Sequence, residues 1–152
     1  MAEVRTARKP SSAKRVYRSE ILIRFAHCDP AGIVFFPRYL VMFNDLVEDW
    51  CRDELGFTFN EIHTGRGWGL PTVHLDVDFV APSRIGDRLT AHLTVRAVGT
   101  SSLTVAIVLR GPDDRDRVRA ELVVVLVDPV SMRATPIPDN VRQRIAPFHE
   151  SD

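Results

Sequence analysis

The chain has 152 residues and a mass of 17.2 kDa, room for one compact domain and too little for two. Hydrophobic residues make up 45% and charged residues 26%, the profile of a folded globular chain rather than a disordered one. Twenty basic residues balance twenty acidic ones, which argues against a broad nucleic-acid-binding face, so an anionic ligand has to find a local group of arginines or backbone amides.

Residues 1–15, with Arg5, Arg8, Lys9, Lys14 and Arg15, read as a disordered basic tail without the apolar stretch of a secretory signal. Cys28 and Cys51 fit neither a CxxC zinc site nor a disulfide framework; both are expected reduced, in a cytoplasmic setting. The longest apolar run, residues 122–127, is far too short to span a membrane. Residues 16–147 read as one domain, followed by a C-terminal tail over 148–152.

In chain order, residues 17–25 read as a first strand, with Ile21, Ile23 and Phe25 on one face and Leu22 on the other. A loop follows over 27–37. Then Leu40, Phe43, Leu46 or Val47, and Trp50 recur at helical spacing, with Pro37 suited to the first helical position and Gly56 to the C-terminal cap. Residues 57–69 carry three glycines when Gly56 next to them is set aside (Gly65, Gly67, Gly69) and no clear period, so they read as a long loop with one helical turn at most. After it the pattern has period two. Val73, Leu75, Val77 and Phe79 oppose Thr72, His74, Asp76 and Asp78, and Leu89, Ala91, Leu93, Val95 and Ala97 oppose the polar set from Arg88 to Arg96. Residues 102–110 and 117–128 supply two more strands, and 139–145 a short helix capped by Asp139.

One long helix with this many apolar groups has to bury them against a sheet. The expected fold is α+β, a curved antiparallel sheet of about five strands wrapped around that helix. The strand over 117–128 is apolar on both faces, which calls for a second subunit to cover the outer one.

Chemistry is concentrated in residues 27–39, His-Cys-Asp-Pro-Ala-Gly-Ile-Val-Phe-Phe-Pro-Arg-Tyr. Pro30 holds Asp29 extended, and Gly32 allows a turn or a close approach. The loop leads into a helix start, whose free N–H groups favour developing negative charge. A carboxylate just before such amides suits acyl transfer, although most Asp-Pro-x-Gly segments are only turns. His74, His92, Asp76 and Asp78 sit on the polar sides of their strands without metal-ligand spacing, so no metal is expected.

The run Asp29-Pro30-Ala31-Gly32-Ile33-Val34, then Phe35-Phe36 and Pro37, resembles the hot-dog-fold acyl-CoA thioesterases of the 4-hydroxybenzoyl-CoA thioesterase family, in the branch with an aspartate in the first loop. The likeness extends over residues 17–128. It implies hydrolysis of a coenzyme A thioester, aryl or short-to-medium acyl, without a cofactor, in a dimer or tetramer with shared active sites and no nucleic-acid or membrane partner. Asp29 takes the place of the catalytic nucleophile or base, and the Phe36 N–H that of the amide polarising the carbonyl. Asn44 stands where the hydroxybenzoyl enzyme offers a carboxylate to the substrate phenol. His27 and Gly32 beside the carboxylate, and Thr100, Ser101 and Ser102 in a hairpin suited to the coenzyme A phosphates, are the other expected substrate contacts, with Arg96, Arg84 or Arg110 supplying charge. Hot-dog hydratases carry a histidine five residues after the aspartate; here that position is Val34. A non-catalytic acyl-CoA-binding module is the other alternative, distinguished by an absence of turnover.

Overall fold

The computed structural model describes residues 15–151; the expected tail up to Lys14 lies outside the described residues. The elements run β1 (Tyr17–Leu22), α1 (Pro37–Trp50), α2 (Phe59–Glu61), β2 (Thr72–Phe79), β3 (Arg88–Val98), β4 (Ser102–Arg110), β5 (Asp116–Val125) and α3 (Asp139–Ile145). All strand pairings are antiparallel, in the spatial order β1-β3-β4-β5-β2. The first two strands are therefore the two edges, and the long connection through α1 carries the chain across the sheet between them. This is the expected hot-dog architecture.

Helix α1 starts at Pro37, whose missing N–H costs nothing in a first turn. Its buried face, Tyr39, Met42, Phe43, Leu46, Val47 and Trp50, joins one core with the inward side chains of β3, β4 and β5. Each such side chain removed from water contributes about 1.5–3 kcal/mol. The helix continues as a π-helical turn, Cys51–Leu55, that ends on Gly56 at φ +83°, a left-handed cap only glycine adopts without strain.

Several expectations shift. β1 stops at Leu22, and Phe25 begins a 3₁₀ turn with its ring 84% exposed, so Phe25 does not share the apolar face with Ile23. Two bulges break the strict alternation of the later strands. One lies between Thr72 and His74, so Val73 drops out of the ladder and is 60% exposed while Thr72 faces Val124. The other lies between Val95 and Ala97, leaving Ala97 exposed and turning Val98 onto the core. The outer face of β5 is mixed rather than apolar. Arg119 pairs with Asp116 and Glu121 with Arg96, and only Val123 and Val125 are apolar there. The exposed apolar surface instead gathers along edge strand β2 and the start of α1, at Val73, Leu75, Phe79, Phe36 and Val41.

Residues 148–150 are docked on the domain. Phe148 is 1% exposed and lies edge-on to Trp50 at 5.6 Å. The Glu150 N–H donates to Val95, and its carboxylate accepts from the Thr94 hydroxyl at 2.7 Å. Among the described residues, no helix is long and apolar enough to cross a membrane.

Candidate active site

Residues 28–34 form a tight hairpin. Cys28 pairs with Val34, and the Asp29 N–H donates to the Ile33 carbonyl at 3.0 Å. At the tip the Gly32 N–H donates to the Asp29 carbonyl at 2.9 Å, with Pro30 second in the turn and Gly32 at φ +76°, the arrangement in which a left-handed residue follows a Pro-containing turn. The returning arm is pinned to the segment before β3: the Val34 N–H donates to Ser83 and the Ile85 N–H to Gly32. The Asp29 carboxylate is thereby held on a fixed backbone. Its Oδ1 accepts from the Ala31 N–H at 2.9 Å, and its other oxygen has no partner among the described residues.

Three residues after Ile33 on the same arm, Phe36 enters α1. The helix has no side-chain cap. The Arg38 and Tyr39 N–H groups are taken up by the carbonyls of Phe35 and Phe36, and Pro37 has none to offer. The Phe36 N–H is left without an acceptor among the described residues, at the positive end of a 14-residue helix dipole. Asp29 is bonded across the hairpin to Ile33, which lies three residues, about 10 Å of chain, before this amide. The Phe36 ring packs edge-on to Phe79 at 6.0 Å, which ties the helix start to edge strand β2.

A groove of about 180 Å³ continues from here along one flank of α1, bounded by Leu40, Asn44 and Val47 on the helix and by Leu75, Leu122 and Phe59 opposite. Phe36, Leu40 and Asn44 follow at four-residue steps, so they share a helix face, with Asn44 about 12 Å from Phe36 along the axis. Phe59 comes from the segment read as a loop and Leu70 from directly after it, where no periodicity marks them as lining residues. His27 faces elsewhere. Its side chain lines the larger cleft on the opposite flank of α1, with Glu20, Met42 and Asp45. Burial, then the Arg24 and Arg38 charges, hold the His27 imidazole below its usual pKa, with Asp45 opposing.

Thr100, Ser101 and Ser102 lie at the β3–β4 turn, at the far end from the Asp29 hairpin of the 11-residue strand β3, itself about 33 Å long. The structure does not bring them to Asp29 within one chain. The Thr100 and Ser101 carbonyls accept from Ile137 and Leu126, and Arg142 caps the Gly99 and Thr100 carbonyls. Of the three arginines weighed for phosphate binding, Arg96 bridges Glu121 and Glu150, and Arg110 pairs with Asp116. Arg84 alone of the three has a side chain with no ion pair among the described residues, and its backbone bridges Ile33 of the Asp29 hairpin. On the outer face His92 is half-buried with its Nδ1 unpartnered.

Comparison with known proteins adds to this geometry. A family model described as the thioesterase-like superfamily matches residues 23–145. A 1,4-dihydroxy-2-naphthoyl-CoA hydrolase from Synechocystis is 38% identical over 73 residues, 48% of this chain; the match spans about half (52%) of that relative's length. The crystal structure of a 1,4-dihydroxy-2-naphthoyl-CoA thioesterase from Synechocystis superposes with a TM-score of 0.79 at 25% identity, covering 86% of this chain and 96% of that one. A 4-hydroxybenzoyl-CoA thioesterase in complex with its substrate shares the fold, with a TM-score of 0.78 at 22% identity over 86% of this chain and 99% of that one. With a hairpin aspartate, an open helix amide and a family match over most of its length, the chain belongs to the thioesterase-like superfamily of hot-dog proteins.

Proposed function

We propose that the protein hydrolyses a coenzyme A thioester to the free acid and coenzyme A, with Asp29 as nucleophile or general base and the Phe36 N–H polarising the thioester carbonyl. The observation that carries this reading is the unpartnered Phe36 N–H at an uncapped helix start, held by the same hairpin as a carboxylate with one free oxygen. A fixed amide dipole aimed at a developing oxyanion costs no reorganisation during the reaction. In the nucleophilic route the free Asp29 oxygen bonds to the carbonyl carbon and the C–S bond breaks. Coenzyme A leaves as thiolate, and water cleaves the resulting anhydride. In the base route Asp29 takes a proton from water, the hydroxide adds to the carbonyl, and the proton passes to the departing sulfur.

The groove beyond Phe36 receives the acyl group. Its walls are apolar except for Asn44 and Thr72, which suits an unsubstituted aryl or a short-to-medium alkyl group better than the dihydroxynaphthoyl group in the relatives' names. Arg84, beside the hairpin and free of ion pairs, is placed for a coenzyme A phosphate. Thr100, Ser101 and Ser102 reach the site only if a second copy supplies them. The exposed apolar edge of β2, with Val73 and Leu75, supports a dimer or a higher assembly built across this edge, where unpaired backbone groups would otherwise face water. A monomer by light scattering at micromolar concentration would remove the shared-site part of the reading.

The test is turnover, followed by free-thiol release, over a panel of benzoyl-, hydroxybenzoyl-, dihydroxynaphthoyl- and straight-chain acyl-CoAs. Hydrolysis of the apolar members above the hydroxylated ones is the expected result. Tight binding of acyl-CoA with no thiol release would overturn it in favour of a non-catalytic binding module.

A further inference from the structure

His27 stands at the base of the hairpin that carries Asp29. Its N–H donates to the Arg24 carbonyl at 3.0 Å, and its own carbonyl accepts the Phe35 N–H at 2.9 Å. Its ring adds a third bond: Nδ1 accepts the Arg24 N–H at 2.9 Å. One residue thus ties the end of the first-strand segment to both arms of the hairpin, two residues before Asp29 on one side and, through Phe35, directly before Phe36 on the other. Phe25, Ala26, Pro30 and Ala31 are exposed at this corner, while the Cys28–Val34 pair packs on the core. The ring itself lies on the flank of α1 opposite Asn44 and the acyl groove.

On the reading that Asp29 and the Phe36 N–H form the site, we propose that His27 is a positioning residue, whose neutral imidazole accepts the Arg24 N–H and so fixes the spacing between the carboxylate and the polarising amide. The bond requires the tautomer with the proton on Nε2. A second proton has to go on Nδ1, where it meets the Arg24 N–H, donor against donor, and the clamp opens. Burial, then the Arg24 and Arg38 charges, opposes that proton; Asp45 favours it, and Glu20 and Asp49 line the same cleft. The clamp is therefore closed at neutral pH and opens as pH falls through a value below that of an ordinary histidine. A displacement of about 1 Å at a reacting centre can cost on the order of 100-fold in rate, so loss of the clamp reads out in kcat.

The experiment compares wild type, His27→Ala and His27→Asn on the best thioester of the panel, with kcat and KM measured from about pH 7 to about pH 5. The Asn Oδ1 occupies the place of Nδ1 and does not titrate. His27→Ala is expected to lose at least about tenfold in kcat with KM little changed. His27→Asn is expected to recover kcat to within about threefold and to lack the low-pH decline of wild type. If His27→Ala does not fold, the pH profile of His27→Asn decides alone. Wild-type kcat in His27→Ala, or an unaltered acid limb in His27→Asn, overturns the inference. Wild-type protein that hydrolyses no thioester overturns the proposed function and this inference with it.

Discussion

Gly32 and Asp29 are joined by a 2.9 Å hydrogen bond from the Gly32 N–H to the Asp29 carbonyl, closed by a left-handed glycine at φ +76°. A Cβ built on Gly32 meets nothing within 4 Å, so the demand for glycine here is conformational, not steric. An L side chain in this region costs about 1–2 kcal/mol. Gly32→Ala is expected to lower the melting temperature by a matching amount and to reduce kcat, because the relaxing turn re-aims the carboxylate. A thermal melt and a turnover assay on one preparation check it; an unchanged melting temperature contradicts it.

The docked C-terminus gives a prediction about stability alone. Phe148 is 1% exposed, edge-on to Trp50, and far along the chain from the hairpin. Phe148→Ala removes a fully buried ring and should cost about 3–5 kcal/mol in denaturant unfolding. Turnover per folded molecule should be retained at a temperature where the variant is still folded. A change below about 1 kcal/mol would mean that these residues are a loose tail after all.

The two cysteines should behave differently. Cys51 is 1% exposed at the end of α1, and burial, with Glu48 adding, pushes its thiol up to about 12. Cys28 is half-buried in the hairpin. The thiolate is the reacting form, so a chromogenic disulfide reagent at mildly alkaline pH should label Cys28 in the native protein and Cys51 only after unfolding. Rapid labelling of both thiols in the folded state would contradict the packing of Cys51.

Residue pattern made the fold legible where it was regular. The α1 stripe, Pro37 at the helix start, Gly56 as its cap and the succession of strand, helix and four strands along the chain all follow from periodicity and turn chemistry acting locally. The misses have tertiary causes. The bulges after Thr72 and Val95 shift register by one residue, which flips side chains between faces without any change in composition. The Thr58 hydroxyl and Glu61 carboxylate form a reciprocal cap on α2, the helical turn expected between 57 and 69, and a second, π-helical turn follows it over Ile62–Arg66. Within the site, the turn at Asp29 and the helix start at Pro37 were legible because a short hairpin leads straight into α1. The distance of Thr100, Ser101 and Ser102 from Asp29 was not, because the length of β3 decides it. Arg84 stood out from Arg96 and Arg110 only once their acidic partners were in place.

The most direct test of the central claim is Asp29→Asn, measured for kcat, acyl-CoA affinity and melting temperature together. The amide keeps the shape and can still accept the Ala31 N–H, but it removes the charge that attacks or abstracts. General-base contributions alone are about 10²–10⁴-fold, so kcat should fall at least that far. Acyl-CoA binding should persist, because the groove, the Phe36 N–H and Arg84 are untouched, and the melting temperature should stay near wild type. A folded Asp29→Asn protein that binds and hydrolyses its best substrate within a few-fold of wild type would remove Asp29 from the reaction.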